Sequence, residues 1–317
     1  MATSPNSSML KRFRLSRRTT LKLILAAAGF ASRWSVANTA QSDSILKRQI
    51  PGSGESIPAV GLGTSDEFGN DPGQDLEPLR EVLRRFVSSG GTLIDTAPAY
   101  GDAETVIGDL VAELGIANQL FLATKVRTRG RQAGIEQMQR SERLLHKRPL
   151  DLIQVHSLVD VDTQLENLRR WKDAGRVRHI GITHSRVSAF EELERLMQSV
   201  KFDFVQFNYS FTELDAEQTL LPLAADKGIA VLVNRPFENG AMFRRVKGKP
   251  LPEWASEFDC NSWAQFSLKY ILAHPAVTCV IPATSNPDHL VDNMGAGLGA
   301  LPDARTRRRM REYVASL

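Results

Sequence analysis

Gly90-Gly91-Thr92-Leu93-Ile94-Asp95-Thr96-Ala97-Pro98-Ala99-Tyr100-Gly101 packs a helix stop, a short apolar strand and a polar loop into one stretch. Upstream, Leu79, Val82, Leu83, Phe86 and Val87 recur at helical spacing, and downstream Val106, Ile107, Leu110 and Leu114 do so again. Glycine accepts the left-handed conformation that closes a helix, so Gly90-Gly91 reads as the end of one helix feeding the strand that follows. The same punctuation returns at Gly115, Gly175 and Gly228, each shortly ahead of a run rich in Val, Ile, Leu and Phe.

Such runs occupy residues 59–62, 92–95, 120–125, 150–156, 177–183, 204–208, 229–234 and 278–282. Near-continuous apolar strands alternating with amphipathic helices predict a parallel sheet covered by helices. Eight such units fit a closed (β/α)8 TIM barrel better than an open sheet. Ahead of them, residues 45–50 and 56–60 flank Pro51-Gly52-Ser53-Gly54, which reads as a β-hairpin turn. No low-complexity linker divides residues 41–317, so one domain is expected there. Residues 237–259 lack periodicity and carry Gly240, Gly248, Pro250 and Pro252; they are expected as a structureless loop, either a lid or a surface insertion.

The formal charge of +4 is misleading, because Lys11, Arg12, Arg14, Arg17, Arg18, Lys22 and Arg33 all precede the first acidic residue, Asp43. Setting these seven aside leaves 33 basic against 36 acidic residues, a net charge of −3. A domain without a basic excess offers no footprint for nucleic acid, and that class is excluded. Residues 1–40 run from a basic stretch through a modest apolar segment, 21–31, to small residues around Val36-Ala37 and Thr39-Ala40, the layout of an export signal. Ser16-Arg17-Arg18-Thr19-Thr20-Leu21-Lys22 resembles the twin-arginine motif, which implies export to the periplasm through that machinery. An ordinary secretory signal, a transit peptide and an uncleaved anchor are the alternatives, the last leaving the protein cytoplasmic or leader-anchored. The apolar segment is short of the ~20 residues that a membrane span needs, and no span is expected in the mature chain. Cys260 and Cys279 are far apart and in no metal-ligand spacing; no metal site is expected.

In barrel enzymes the chemistry sits at the C-terminal strand ends. The polar residues there are Asp95 with Tyr100 in the loop beyond, Lys125, and His156. Each alone reads more readily as an ion-pair partner, a surface charge or a hydrogen-bonded core histidine. Together they form one coherent device. Hydride transfer to a carbonyl leaves negative charge on oxygen, which must be stabilised and protonated. Tyr100 is the expected proton donor. A phenol of ordinary pKa near 10 is a sluggish acid at neutral pH, a neighbouring ammonium favours the phenolate, and a buried carboxylate keeps that ammonium charged. Lys125 is the tuner, Asp95 its holder, and His156 a donor that orients the carbonyl oxygen.

The chain at this point resembles the aldo-keto reductase family, from about residue 50 to 296. The resemblance is carried by Gly61-Leu62-Gly63-Thr64, the 95–101 segment, Ala123-Thr124-Lys125, residues 151–156, Ile180-Gly181-Ile182-Thr183, Val205-Gln206-Phe207-Asn208-Tyr209, and Val280-Ile281-Pro282 with Asn293. It implies a (β/α)8 barrel closed at its base by the N-terminal hairpin, an Asp-Tyr-Lys-His tetrad, and NADPH, with NADH not excluded, bound without a Rossmann fold. It places Gln206 at the nicotinamide carboxamide and Asn293 near the adenine. His184 stands where the family has Asn, and Asn234-Arg235 replaces a pattern that supplies a stacking aromatic residue; Arg235 is expected to reach the pyrophosphate instead. Thr284 and Ser285, with Asn286, stand where the family has basic residues for the 2′-phosphate. The expected function is reduction of an aldehyde or ketone to an alcohol. The alternative is a nucleotide-binding barrel acting as a redox sensor or subunit, which the changes at His184 and Asn234 keep open. Arg305, Arg307, Arg308, Arg309 and Arg311 are expected on a solvated helix face.

Overall fold

Residues 44–69, 73 and 75–317 are described by the computed structural model, so the expected leader lies outside the described residues. The hairpin forms where the turn residues place it: β1 (Lys47–Gln49) pairs antiparallel with β2 (Ser56–Pro58), Lys47 opposite Pro58 and Gln49 opposite Ser56. Eight parallel strands follow: β3 (Leu62–Gly63), β4 (Leu93–Asp95), β5 (Phe121–Val126), β6 (Leu150–His156), β7 (Val177–Thr183), β8 (Phe204–Asn208), β9 (Ala230–Asn234) and β10 (Cys279–Val280). Each pairs with the next in chain order. Val60 bridges Val280 and Gly63 bridges Ala283, while the Gly61 and Gly63 N–H groups donate to the carbonyls of Val280 and Pro282 at 2.8 and 3.0 Å. These bonds join the last strand to the first and close the barrel. Regular pairing begins at Leu62 rather than residue 59, because Val60 meets β10 only through an isolated bridge.

The helices are α1 (Glu77–Ser88), α2 (Ala103–Leu114), α3 (Arg131–Leu144), α4 (Val161–Asp173), α5 (Phe190–Ser199), α6 (Asp215–Gln218), α7 (Leu220–Lys227), α8 (Ala241–Arg245), α9 (Trp263–Leu272), α10 (Pro287–Gly295) and α11 (Ala304–Ala315). Strand alternation splits the apolar residues into two cores. Leu93, Phe121, Ala123, Leu152, Phe204, Ala230, Leu232 and Cys279 fill the barrel, and Ile50 and Ile57 of the hairpin join them. Leu93, Phe121 and Phe204 each begin a strand, so the hairpin seals the N-terminal end. Ile94, Leu122, Val126, Ile153, Val155 and Ile182 belong to the second core, with Leu79, Val82, Leu83 and Phe86 of α1.

Two expectations change. Residues 237–259 are not structureless: they form short helical turns at Glu238–Gly240, α8 and Glu253–Phe258, with Met242, Val246, Ala255 and Phe258 buried. Trp254 packs on Phe266 and Tyr313, with the Arg309 guanidinium 4.1 Å from its ring centroid. Pieces of six residues or fewer are too short to show a helical period, which is why the stretch reads as a loop. On the arginine-bearing α11, Arg311 pairs with Glu217 at 3.5 Å, and Arg307 departs furthest from a solvated face. It donates to the Glu217 carboxylate at 2.6 Å, to the Tyr209 hydroxyl and to the Tyr270 carbonyl, pinning the C-terminal helix to the barrel wall. Cys260 and Cys279 are both free and buried.

Strand approach is closest where a side chain is missing. A Cβ on Gly181 would lie 2.4 Å from the Phe204 carbonyl oxygen, between β7 and β8. Gly181→Ala is therefore expected to destabilise the fold by about 1–3 kcal/mol through overpacking, read as a lower unfolding midpoint in urea.

Candidate active site

β4, β5 and β6 fix the centre of the site through their register. Asp95 pairs with Ala123, Lys125 with Gln154, and His156 with Thr183 of β7, which in turn pairs with Gln206 of β8. Lys125 and Asp95 are 1% and 3% exposed. The Lys125 ammonium donates to Asp95 Oδ2 at 2.6 Å and to the Thr96 carbonyl at 2.8 Å. Gln154 Nε2 donates to the other carboxylate oxygen at 3.4 Å, and Thr64 Oγ1 to the Asp95 carbonyl at 2.9 Å. Tyr100 sits in the loop after β4, its ring centroid 4.9 Å from Lys125 Nζ and 5.9 Å from the His156 ring, edge-on at 87°. The four residues read from the strand ends thus converge at one mouth.

Their electrostatics diverge. Burial opposes the Lys125 charge, but Asp95 and Tyr100 outweigh it and hold the ammonium above its ordinary pKa. Burial, followed by the charges of Lys125, Arg127 and His184, drives His156 down to about 3. A charged lysine thus lies beside a histidine that stays neutral throughout the physiological range.

The expected cofactor residues lie around the same rim. Thr183 Oγ1 donates to Gln206 Oε1 at 2.7 Å, which leaves Gln206 Nε2 as a buried donor without a partner among the described residues. His184 follows β7, half-buried, its Nδ1 accepting from the Arg186 N–H at 3.1 Å. Burial lowers its pKa, and Arg186 and Arg235 add to the effect. Asn234 ends β9 with Oδ1 buried and unpartnered. Arg235 follows in the left-handed region, φ 51°, its guanidinium donating to the Ser185 carbonyl at 3.0 Å. Across the barrel, Thr284 Oγ1 accepts from the Asn286 N–H, the Ser285 hydroxyl donates to Glu67, and the Asn286 side chain caps α10. Asn293 is buried within that helix.

Among the described residues, six of the eight buried side-chain polar atoms without a partner belong to this mouth or the strands beneath it: Thr96 Oγ1, Gln154 Oε1, His156 Nδ1, Gln206 Nε2, Asn208 Oδ1 and Asn234 Oδ1. Each such group costs about 1–3 kcal/mol. Their concentration at one end fits a polar, flat ligand such as a nicotinamide.

Gln154, Thr64 and Glu104 were not singled out by the sequence reading. Gln154 shares its strand face with His156 two residues on, and that spacing was the available signal. Glu104 is buried in α2, accepts from Thr124 Oγ1 at 2.5 Å, and has its pKa raised by burial. A glutamate in a first helical turn is commonplace, so its sequence gave no sign.

Burial lowers the pKa of His156, His179, His184 and His274 in the folded chain. Below about pH 6.5 the unfolded chain binds protons that these sites refuse, so stability present above that pH is lost as pH falls. The slope reaches ~1.4 kcal/mol per pH unit for each fully differential site. Urea midpoints are expected to fall between about pH 7.5 and 5.5, and His156→Asn to flatten that fall.

Comparison with known proteins agrees with this geometry. The sequence model of the aldo/keto reductase family matches residues 59–308. The aldo-keto reductase YhdN of Bacillus subtilis is 30% identical over 226 residues, 66% of either chain. The methylglyoxal reductase YeaE of Escherichia coli is 27% identical over 256 residues, 78% of this chain and 88% of its own. Among solved structures, an aldo/keto reductase from Klebsiella pneumoniae in complex with NADP and acetate superposes with a TM-score of 0.72 at 22% identity, covering 85% of this chain and 96% of that one. An aldo-keto reductase from Bacillus halodurans in its holo form gives 0.69 at 24% identity, covering 84% and 96%. The chain belongs to the aldo/keto reductase family and is an oxidoreductase.

Proposed function

We propose that the protein reduces an aldehyde or ketone to the alcohol with NADPH, using Tyr100 as proton donor. The observation that carries this reading is the convergence of Asp95, Tyr100, Lys125 and His156 at the open end of a closed barrel. When bound, a reduced nicotinamide would supply hydride to the carbonyl carbon. As the C=O π bond breaks, its electron pair moves to oxygen, and the Tyr100 hydroxyl gives that oxygen its proton. Lys125, kept charged by Asp95, stands beside the phenolate left behind until solvent returns the proton. His156, neutral, offers a ring N–H to the carbonyl oxygen without carrying a charge that would compete with Lys125.

Gln206 would hold the carboxamide through its unused Nε2, with His184 beside it where Asn is usual, and Asn234 offers a further acceptor. Arg235 and the N-terminus of α10, with Thr284, fit the phosphates; Asn293 lies further along the same helix, towards the adenine. NADPH is supported by the Klebsiella pneumoniae relatives, whose structures hold NADPH or NADP. The Glu67 carboxylate engaging Ser285 is the feature that opposes a 2′-phosphate. The filled tetrad favours turnover over a sensor role.

Export through the twin-arginine route is part of the proposal, supported by Arg17-Arg18 ahead of the weakly apolar 21–31 segment. That machinery carries folded proteins, which suits a barrel that binds its cofactor before leaving the cytoplasm. Fractionation of cells making the wild type and Arg17→Lys/Arg18→Lys tests it. A processed periplasmic form lost in the variant is expected, and an unprocessed cytoplasmic wild type removes the idea.

Tyr100→Phe is expected to lower carbonyl-dependent NADPH oxidation about 10²–10⁴-fold while leaving cofactor affinity, read by fluorescence titration, unchanged. Cofactor binding without turnover in the wild type would establish the sensor reading instead, and equal activity with NADH would refute the preference for NADPH.

A further inference from the structure

β5 ends at Val126, with Ala123 facing into the barrel and Val126 in the helix-facing core, and Arg127 is the first residue of the loop that follows Lys125 and Val126 out of the strand. The β5–β6 register runs Ala123 with Leu152, Lys125 with Gln154 and Val126 with Val155. The register ends there, and Arg127 follows Val126 as His156 follows Val155 on the neighbouring strand. The Arg127 backbone is anchored there by its N–H, which donates to Gln137 Oε1 at 2.6 Å.

The guanidinium itself is exposed and uncommitted. Arg129 adds its charge to the field on the Asp160 carboxylate, Arg131 pairs with Glu166 at 2.6 Å, and Arg235 donates to the Ser185 carbonyl. The Arg127 side chain has no hydrogen-bond or ion-pair partner among the described residues. Its charge nevertheless reaches the site: after burial and Lys125, it helps hold His156 neutral. The charges that bear on His156 are Lys125, Arg127 and His184, all on basic groups, and Asp95 is already paired with Lys125.

We propose that Arg127 selects carbonyl substrates bearing an anionic group, carboxylate or phosphate, by binding that group beside His156 while the carbonyl lies at Tyr100. This rests on the reductase reading and names its substrate class. A guanidinium offers the planar fork that matches either anion, whereas a neutral aldehyde gains nothing from it. Arg127 acts in binding, so its effect falls on KM.

The test uses the full-length chain, wild type and Arg127→Gln, with Arg129→Gln as a neighbouring arginine whose charge already acts on Asp160. Initial rates are measured for 4-oxobutanoate against butanal, and for glyceraldehyde 3-phosphate against glyceraldehyde. A charge-assisted hydrogen bond corresponds to about a tenfold or greater preference for the anion in the wild type. Arg127→Gln is expected to raise KM for the anionic member about tenfold or more, with kcat and the neutral member within about threefold, while Arg129→Gln keeps the wild-type preference. Raising salt from about 20 to about 200 mM should raise the wild-type KM for the anion and not that of the variant. A response confined to one pair supports the proposal and identifies the anion. An unmoved KM, or an equal loss on neutral and anionic substrates, overturns it. No reduction of any of the four substrates by the wild type would instead overturn the reductase reading.

Discussion

A complete ion pair lies inside the mouth of the barrel, and the rest of the site is arranged around it. Taking a carboxylate and an ammonium out of water costs several kcal/mol for each ion, which is recovered only when geometry is close and the remaining valences are used. Both conditions hold. Lys125 uses Asp95, the Thr96 carbonyl and the flank of Tyr100, and Asp95 takes a second contact from Gln154. A one-residue slip of β5 against β4 would exchange Lys125 for Val126 and bury a charge among the helix-facing side chains. The pair therefore holds the strand register as firmly as the register holds the pair.

That cation disfavours charge on its imidazole neighbour. His156 is driven down to about 3 by burial first and by Lys125 second. A histidine kept neutral beside a charged lysine can donate a ring N–H without adding a second positive charge to the pocket. The arrangement depends on a cation that stays charged while buried.

The fold was legible because the barrel repeats one physical unit. Apolar runs, helical stripes and glycine stops located eight strands, and three of them, β6, β7 and β8, at their observed limits. The convergence of Asp95, Tyr100, Lys125 and His156 was legible because barrel geometry brings strand-end residues to one mouth. What escaped had no local signature. Gln154 reads as a stray polar residue in an apolar strand until the register brings it to Asp95. Glu104 reads as an ordinary first-turn acid until burial is known. Arg307 reads as one more surface arginine until Tyr209 and Glu217, far away in sequence, are found beneath it. In each case the partner is supplied by topology, and no window of sequence contains it.

The rim shows how such a site remains selective after its centre is fixed. The barrel tolerates several buried polar atoms without partners at this end, each a local cost, because the same atoms define what can bind. Charge around the rim is uneven in the same sense. Arg235 leans over the β7 loop through the Ser185 carbonyl, Arg129 adds its charge to the field on Asp160, and Arg131 pairs with Glu166. Arg127, just beyond the end of β5, has no side-chain hydrogen-bond or ion-pair partner among the described residues, and its charge bears on His156. A solvated cation there costs the fold little, since neither its charge nor its donors are buried. Proton transfer is proposed for Tyr100, in the loop after β4, so a charge at Arg127 would act on binding rather than on the reacting atoms.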